Sequence, residues 1–169
     1  MTLRELFKRI KCFIDDVPYD DKPPKRLTDK MQTGIIGEDA ALEYLVEQGY
    51  FLRERNWRHS RYEIDLIMQE ERCIVFCEVK TRCVDRENYG TPAESVTREK
   101  QENLMKAASF YMGGYHETYM DWTLPPCRFD IIEVYIKDNT VIKINHIKDA
   151  FIKRRGYKKK GTGYKSCRH

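Results

Sequence analysis

The stretch Tyr62-Glu63-Ile64-Asp65-Leu66-Ile67-Met68-Gln69-Glu70-Glu71-Arg72-Cys73-Ile74-Val75-Phe76-Cys77-Glu78-Val79-Lys80 decides the fold. Its two halves, Tyr62 to Met68 and Cys73 to Lys80, are apolar and strand-like, and the polar run Gln69 to Arg72 separates them. That pattern predicts a β-hairpin. Side chains alternate across a strand, so Glu63 and Asp65 are expected on one face and Ile64 and Leu66 on the other. The second half is apolar on both faces as far as Cys77, which predicts a central strand. Beyond it, Glu78 and Lys80 lie two apart and share a face. Antiparallel pairing brings them close to Asp65. Carboxylates on a mostly apolar strand are costly unless a cation, metal or basic side chain, compensates them. Carboxylate oxygens suit hard ions such as Mg²⁺ or Mn²⁺. A lysine beside a metal-bound water can orient it and offset charge developing in phosphoryl transfer. A purely structural ion-pair network of the same residues is the competing reading.

Working outward, Ile36, Ala40, Ala41, Tyr44 and Leu45 form an apolar stripe that predicts a helix over 32–49, stopped by Gly49. Gly34 and Gly37, so near its start, point to a close approach of a backbone or a phosphate. Tyr50 to Asn56 reads as a strand. Residues 81–94 form a polar loop, and Ser95 to Met112 a helix with Leu104, Ala107, Ala108 and Tyr111 on one face. Gly113-Gly114 is expected to end that helix, leaving 115–127 irregular. Arg128 to Ile136 and Val141 to Ile147 read as two further strands, turning at Asp138-Asn139. The order is helix, three strands, helix, two strands.

With 169 residues and 41% hydrophobic content, the chain suits one globular domain with extensions. The longest apolar run, Cys73 to Cys77, falls far short of the roughly 20 residues a membrane helix needs. Residues 1–14 show no secretory h-region, so a cytoplasmic protein with no membrane partner is expected. The six cysteines include no C-x-x-C pair and read as reduced thiols rather than a zinc site. Leu3, Leu6, Phe7, Ile10, Phe13 and Ile14 have helical spacing, and an Asp- and Pro-rich linker follows, giving an N-terminal extension over 1–31. The domain, 32–151, holds 15 basic and 21 acidic residues, whereas 152–169 holds eight Lys/Arg and no acid. Such a tail reads as an electrostatic arm for nucleic acid, with Lys153, Arg154, Arg155, Lys158, Lys159 and Lys160 as contacts and Tyr157 and Tyr164 interleaved. A solubility tail is the alternative.

The pattern D-x(12)-E-x-K, here Asp65, Glu78 and Lys80, resembles the active site of the PD-(D/E)xK nuclease superfamily. Further motifs bring the resemblance closer. They are Gly34-x-x-Gly37-Glu38-x-x-Ala41, Gly49-Tyr50, Asn56-x-Arg58, Glu63-Ile64-Asp65-Leu66-Ile67, Val75-Phe76-x-Glu78-Val79-Lys80-Thr81-Arg82 and Tyr89-Gly90. Val96, Lys100, Leu104 and Arg128-Phe129-Asp130-Ile131-Ile132 continue them. Over about 32–136 the chain resembles the YraN / UPF0102 family, itself similar to archaeal Holliday-junction resolvases. The resemblance implies an α/β, restriction-endonuclease-like mixed β-sheet flanked by helices. It implies a metal-dependent DNA endonuclease with Glu38, Asp65, Glu78 and Lys80 as catalytic residues. Asp65, Glu78 and Glu38 would hold Mg²⁺ or Mn²⁺, with the Val79 carbonyl as a further oxygen. Branched or single-stranded DNA is the implied substrate, and a junction substrate implies a homodimer.

Two residues depart from the family pattern: Tyr62 stands where glycine is usual, and Cys77 where a small aliphatic residue is usual. Glu63, Lys100 and Gln101 are candidate accessory residues. Glu63 is alternatively an ion-pair partner of Arg58 or Arg82, and Lys100 and Gln101 are alternatively solvated helix residues. Trp57, Tyr62 and Tyr89 flank the site and can stack on bases, with packing as their other reading. His59, as a lone exposed histidine, carries no assignment. A nucleic-acid-binding protein with a vestigial site, an interaction module recruiting through the N-terminal stretch, and RNA as substrate all stay open.

Overall fold

The computed structural model describes residues 29–84, 96–119 and 124–151. Tyr89, the first 28 residues and the basic tail lie outside them. Helix α1 spans Asp29–Glu47, followed by strands β1 (Phe51–His59), β2 (Tyr62–Glu70) and β3 (Cys73–Cys83). Helix α2 (Arg98–Tyr119) precedes β4 (Cys127–Lys137) and β5 (Thr140–Ile147). The five strands form one sheet in sequence order. The pairs β1–β2, β2–β3 and β4–β5 are antiparallel, and β3–β4 is parallel. This is the α/β mixed sheet flanked by helices that the resemblance implies.

The helices cover opposite faces. Ala41, Leu42 and Leu45 of α1 pack with Leu66, Met68, Val75, Cys77, Val79, Ile132, Val134 and Ile136. Leu104, Ala107, Ala108 and Met112 of α2 pack with Ile64, Ile67, Ile74, Phe76, Phe129 and Ile131. A strand covered on both faces must be apolar on both, which is why β3 reads as a continuous run. The turns follow local chemistry. Glu71 (φ 51°) turns β2 into β3, and Asp138 and Asn139 (φ 48° and 59°) give the primed turn between β4 and β5.

Several expectations are corrected. Helix α1 begins at Asp29, three residues early, within the stretch read as linker. Helix α2 begins at Arg98 rather than Ser95, and it runs through Gly113-Gly114 to Tyr119. Two glycines cost about 2 kcal/mol in a helix, but the apolar face through Met112 anchors the segment, and packing overrides propensity. Third, Ile64 and Leu66 do not share a layer: Ile64 lies under α2 and Leu66 under α1. Asn56 lies on β1 between the pairs Arg55–Leu66 and Trp57–Ile64, and its φ of 52° breaks the regular pleat beside them. The expectation of reduced thiols is corrected at one position: Cys77 and Cys83 are free, whereas Cys73 is disulfide-bonded. No described helix is long and apolar enough to cross a membrane.

The α1 layer encloses a polar network. The Arg128 guanidinium donates to Asp130 at 3.0 and 3.1 Å, to the Tyr50 hydroxyl at 2.8 Å, and to Glu70. Asp130 also meets His146 Nε2 at 2.8 Å and accepts from the Asp149 amide at 2.9 Å. Arg128 and Asp130 are buried.

At Gly37, α1 lies against β3 with no room for a side chain. A Cβ there would lie 1.9 Å from Thr81 Oγ1 and 2.9 Å from Thr81 Cβ. The close approach suggested at the helix start is thus made by a threonine of β3. A rotamer change moves Oγ1 but not Cβ, so the helix itself would have to shift. Gly37→Ala is expected to destabilise by about 1–3 kcal/mol. Gly34 has nothing within 4 Å, and Gly34→Ala should be neutral or stabilising by up to about 1 kcal/mol. Urea denaturation of both variants checks this; equal effects would refute the contact's role.

Candidate active site

Strands β2 and β3 pair from Glu70–Cys73 to Leu66–Cys77, and there the ladder ends. Asp65 and Glu78 are the next residues on each strand. The Asp65 carboxylate takes over from the ladder, its Oδ2 accepting the Val79 amide at 2.7 Å. Strand β3 continues alone against β4, where Lys80 registers with Glu133. The site thus forms where one strand leaves its neighbour while the other is still held in the sheet.

Glu78 is buried, with 2% of its side chain exposed. Lys80 Nζ donates to its Oε1 at 2.6 Å. Lys100 Nζ, from the first turn of α2, lies 3.1 Å from its Oε2. Thr97 caps that turn, its Oγ1 accepting the Lys100 amide at 3.3 Å. Glu78 thus has an ammonium at each of its two carboxylate oxygens. Burial works to lower the Lys100 pKa, but Glu78 and Asp65 outweigh it and hold the ammonium charged.

Asp65 is pushed up to about 7, by burial first and by the Glu78 charge second, with the Val79 amide and Lys100 opposing. Two acids this close resist joint ionisation. The Glu38 charge adds a smaller push. Its side chain is otherwise engaged: Glu38 Oε2 lies 3.4 Å from Arg55 Nη2, and Asp39 Oδ1 lies 2.6 Å from Arg55 Nη1. Sequence reading missed Arg55 as the residue that holds Glu38.

The remaining candidates divide. Glu63 is half-exposed, 3.4 Å from Arg58 and 4.0 Å from Lys100, so it sits at the rim. Gln101 donates to the Val96 carbonyl at 3.0 Å and spends its amide on the helix start. Glu133, fully buried on β4, was not foreseen. It accepts from Asn145 at 2.9 Å and from Tyr135 at 3.2 Å, and lies 3.6 Å from Arg82.

Among the described residues no three His, Cys, Asp or Glu side chains lie close enough to hold an ion. The three-carboxylate set expected from the resemblance is therefore not assembled, and Glu38 pairs instead with Arg55. Two of its members fit a hard cation nonetheless. Asp65 and Glu78 are neighbouring, mutually repelling oxygen donors, and their repulsion is what a cation between them would relieve. Mg²⁺ is commonly bound by one or two carboxylates with waters completing its shell.

The sequence model of the uncharacterised protein family UPF0102 matches residues 37–134, more than half of the chain. A UPF0102 protein of Chlorobium phaeobacteroides is 40% identical over 124 residues, 70% of this chain and 93% of that protein. One of Symbiobacterium thermophilum is 42% identical over 120 residues, covering 71% and 96%. One of Bacteroides thetaiotaomicron is 39% identical over 120 residues, covering 71% and 92%. The residues matched by the family model, 37–134, take in the whole cluster from Glu38 to Glu133.

Proposed function

The chain belongs to the uncharacterised protein family UPF0102, and we propose that it is a metal-dependent endonuclease that hydrolyses phosphodiester bonds in DNA. The observation that carries this reading is the meeting of Asp65, Glu78 and Lys80 at the end of the β2–β3 ladder. Asp65 and Glu78 would hold Mg²⁺ or Mn²⁺. A bound ion of this kind lowers the pKa of its water and stabilises charge on a phosphate.

The chain's own residues set the rest. The Val79 amide holds one oxygen of Asp65, and the other would be the one offered to the ion. Lys80, held on Glu78, directs its remaining N–H groups at the attacking oxygen. Lys100 supplies a second ammonium beside the same carboxylate, placed to offset the growing negative charge of the phosphate. Glu38 acts at one remove, as a charge that Arg55 holds near Asp65. The basic run from Lys153 to Lys160 would hold the backbone without reading sequence. The substrate is proposed to be branched or single-stranded DNA, and a junction substrate would call for two copies of the chain.

The decisive experiment incubates the full chain with labelled single-stranded, forked and four-way-junction DNA in Mg²⁺, Mn²⁺ or EDTA. Cutting that requires the metal supports the proposal and ranks the substrates. The engagement of Glu38 by Arg55 and of Glu78 by Lys100 favours one rival, a nucleic-acid-binding protein with a vestigial site. Binding that survives EDTA, with no cutting under any metal, would establish that rival instead.

A further inference from the structure

Beside the site, on the tip of the β1–β2 hairpin and the outer surface of α2, four aromatic rings stack in series. Trp57 stacks on His59 with centroids 6.1 Å apart and planes within 12°. His59 stacks on Phe110 at 4.4 Å and 27°, and Phe110 on Tyr62 at 5.8 Å and 26°. The Arg61 guanidinium caps the series, 5.2 Å from the Tyr62 ring centre, and also donates to the Tyr62 hydroxyl at 3.2 Å.

One end of the stack is anchored and the rest is open. Trp57 meets Tyr111 edge-on at 5.6 Å, and Tyr111 meets the core ring Phe76 at 5.8 Å. Core packing therefore accounts for Trp57. It does not account for Phe110, 48% exposed, or for the exposed His59. The rings cover one another's inner faces, which leaves the exposed edges of His59 and Phe110 and the outer Tyr62 face, covered by the Arg61 side chain alone, for a flat ring to take as Arg61 moves onto a phosphate.

The rim is cationic. Arg58 is 73% exposed, Arg61 caps the stack, and the Lys106 charge reaches the Tyr62 hydroxyl. The facing acids are Glu63, paired with Arg58 and Lys100, and Glu102, paired with Arg98. Tyr62 precedes Asp65 by three residues on β2, about 10 Å along a strand. Glu63 and Lys100 bridge that interval to Glu78.

We propose that the stack Trp57–His59–Phe110–Tyr62, capped by Arg61, is a platform for the unpaired bases of single-stranded DNA, laid beside the cluster of Asp65, Glu78 and Lys80. The inference rests on the nuclease reading and names its substrate feature. Flat faces call for a flat partner, and positive charge around them calls for a phosphate backbone. In a duplex the base faces are already covered by their neighbours, so only unpaired bases can use these rings. Stacking is sequence-tolerant, because every base has a π-face. The single-stranded arm of a flap, fork or gap would place its bases here and its junction near Asp65.

The test measures binding, in EDTA, of the full chain to a labelled oligothymidylate of about 15 nucleotides. A second ligand of equal length carries abasic sites throughout, so it keeps the charge and loses the rings. Wild type should bind the thymidylate at least about tenfold more tightly than the abasic strand. Phe110→Ala should erase that difference, leave abasic binding unchanged, and leave the slope of log Kd against log salt unchanged. Phe110→Trp should retain the preference, and Arg61→Ala should lower the salt slope. Equal wild-type affinity for the two strands would overturn the proposal. So would a Phe110→Ala loss equal on both ligands, or tighter binding of oligouridylate than of oligothymidylate. Because the metal is withheld, failure here is distinct from failure of cleavage, which the metal-dependent assay reads separately.

Discussion

Asp65→Asn is expected to abolish metal-dependent cleavage while making the metal-free fold more stable at neutral pH. The first effect follows from the loss of one of two adjacent carboxylates at the site, and should lower the rate by at least about 10³-fold. The second follows from the proton balance. The folded-state pKa of Asp65 is raised from 3.8 to about 7. The folded state therefore holds a proton that the unfolded state releases as pH rises above about 4. Stability contributed by protonated Asp65 is present below that point and is lost progressively up to about pH 7. Asparagine cannot ionise, and its side-chain oxygen can still accept the Val79 amide. In EDTA at pH 8 the variant should exceed wild type by on the order of 2 kcal/mol, and near pH 4 the two should converge. Paired urea melts at the two pH values read this directly. A variant destabilised at pH 8 would contradict the crowding of Asp65 and Glu78. Lys80→Ala provides the contrast: it should lose cleavage by about 10²-fold or more and lose stability as well, since it leaves buried Glu78 with Lys100 alone. Wild-type cutting by either variant would sink the assignment.

Arg128→Met should cost about 3–5 kcal/mol at neutral pH, because it strips a buried guanidinium from acids that depend on it. Asp130 keeps His146 and the Asp149 amide, while Glu70 keeps Lys148. Burial works to raise the Glu70 pKa, but hydrogen bonds from Arg128, Tyr50 and Lys148 override it and hold it at about 2, below the ordinary 4.5. Asp130 is lowered too, its burial outweighed by His146 and Arg128. Depressed carboxyl pKa values stabilise the fold above the unfolded value and cease to do so as pH falls toward 2. The gap between wild type and Arg128→Met should therefore narrow below about pH 4. Denaturation midpoints at pH 7 and pH 3 test it; a gap independent of pH would mean that Arg128 acts through packing alone. None of this touches the proposed chemistry, so metal-dependent cutting by the folded variant should match wild type.

The hairpin and its cluster were legible because they are local. A two-residue turn fixes the register of β2 on β3, and register alone brings Asp65, Glu78 and Lys80 together. What escaped the sequence depends on contacts between distant segments. Glu38 has the right type and place on α1, but Arg55 of β1 decides where its carboxylate goes. Glu133 and the Arg128 network become visible only once β4 lies parallel to β3. His59 looks solitary in the chain and is not, because its stacking partner Phe110 arrives from α2. The glycine pair at 113–114 misled in the other direction, since a local stop signal was overruled by packing one turn earlier. Residue type was thus readable, whereas partnership was readable only across short separations.

The parallel pairing of β3 with β4 also has a consequence for the order of assembly. During synthesis the hairpin carrying Asp65, Glu78 and Lys80 is complete long before residues 127–137 exist. Until they emerge, β3 presents an unpaired edge over its most apolar stretch, Ile74 to Cys77. Contacts between segments so far apart form slowly, since a long loop must close first. That interval, with a bare hydrophobic strand edge on offer to any neighbouring chain, is when the protein is most exposed to misassociation.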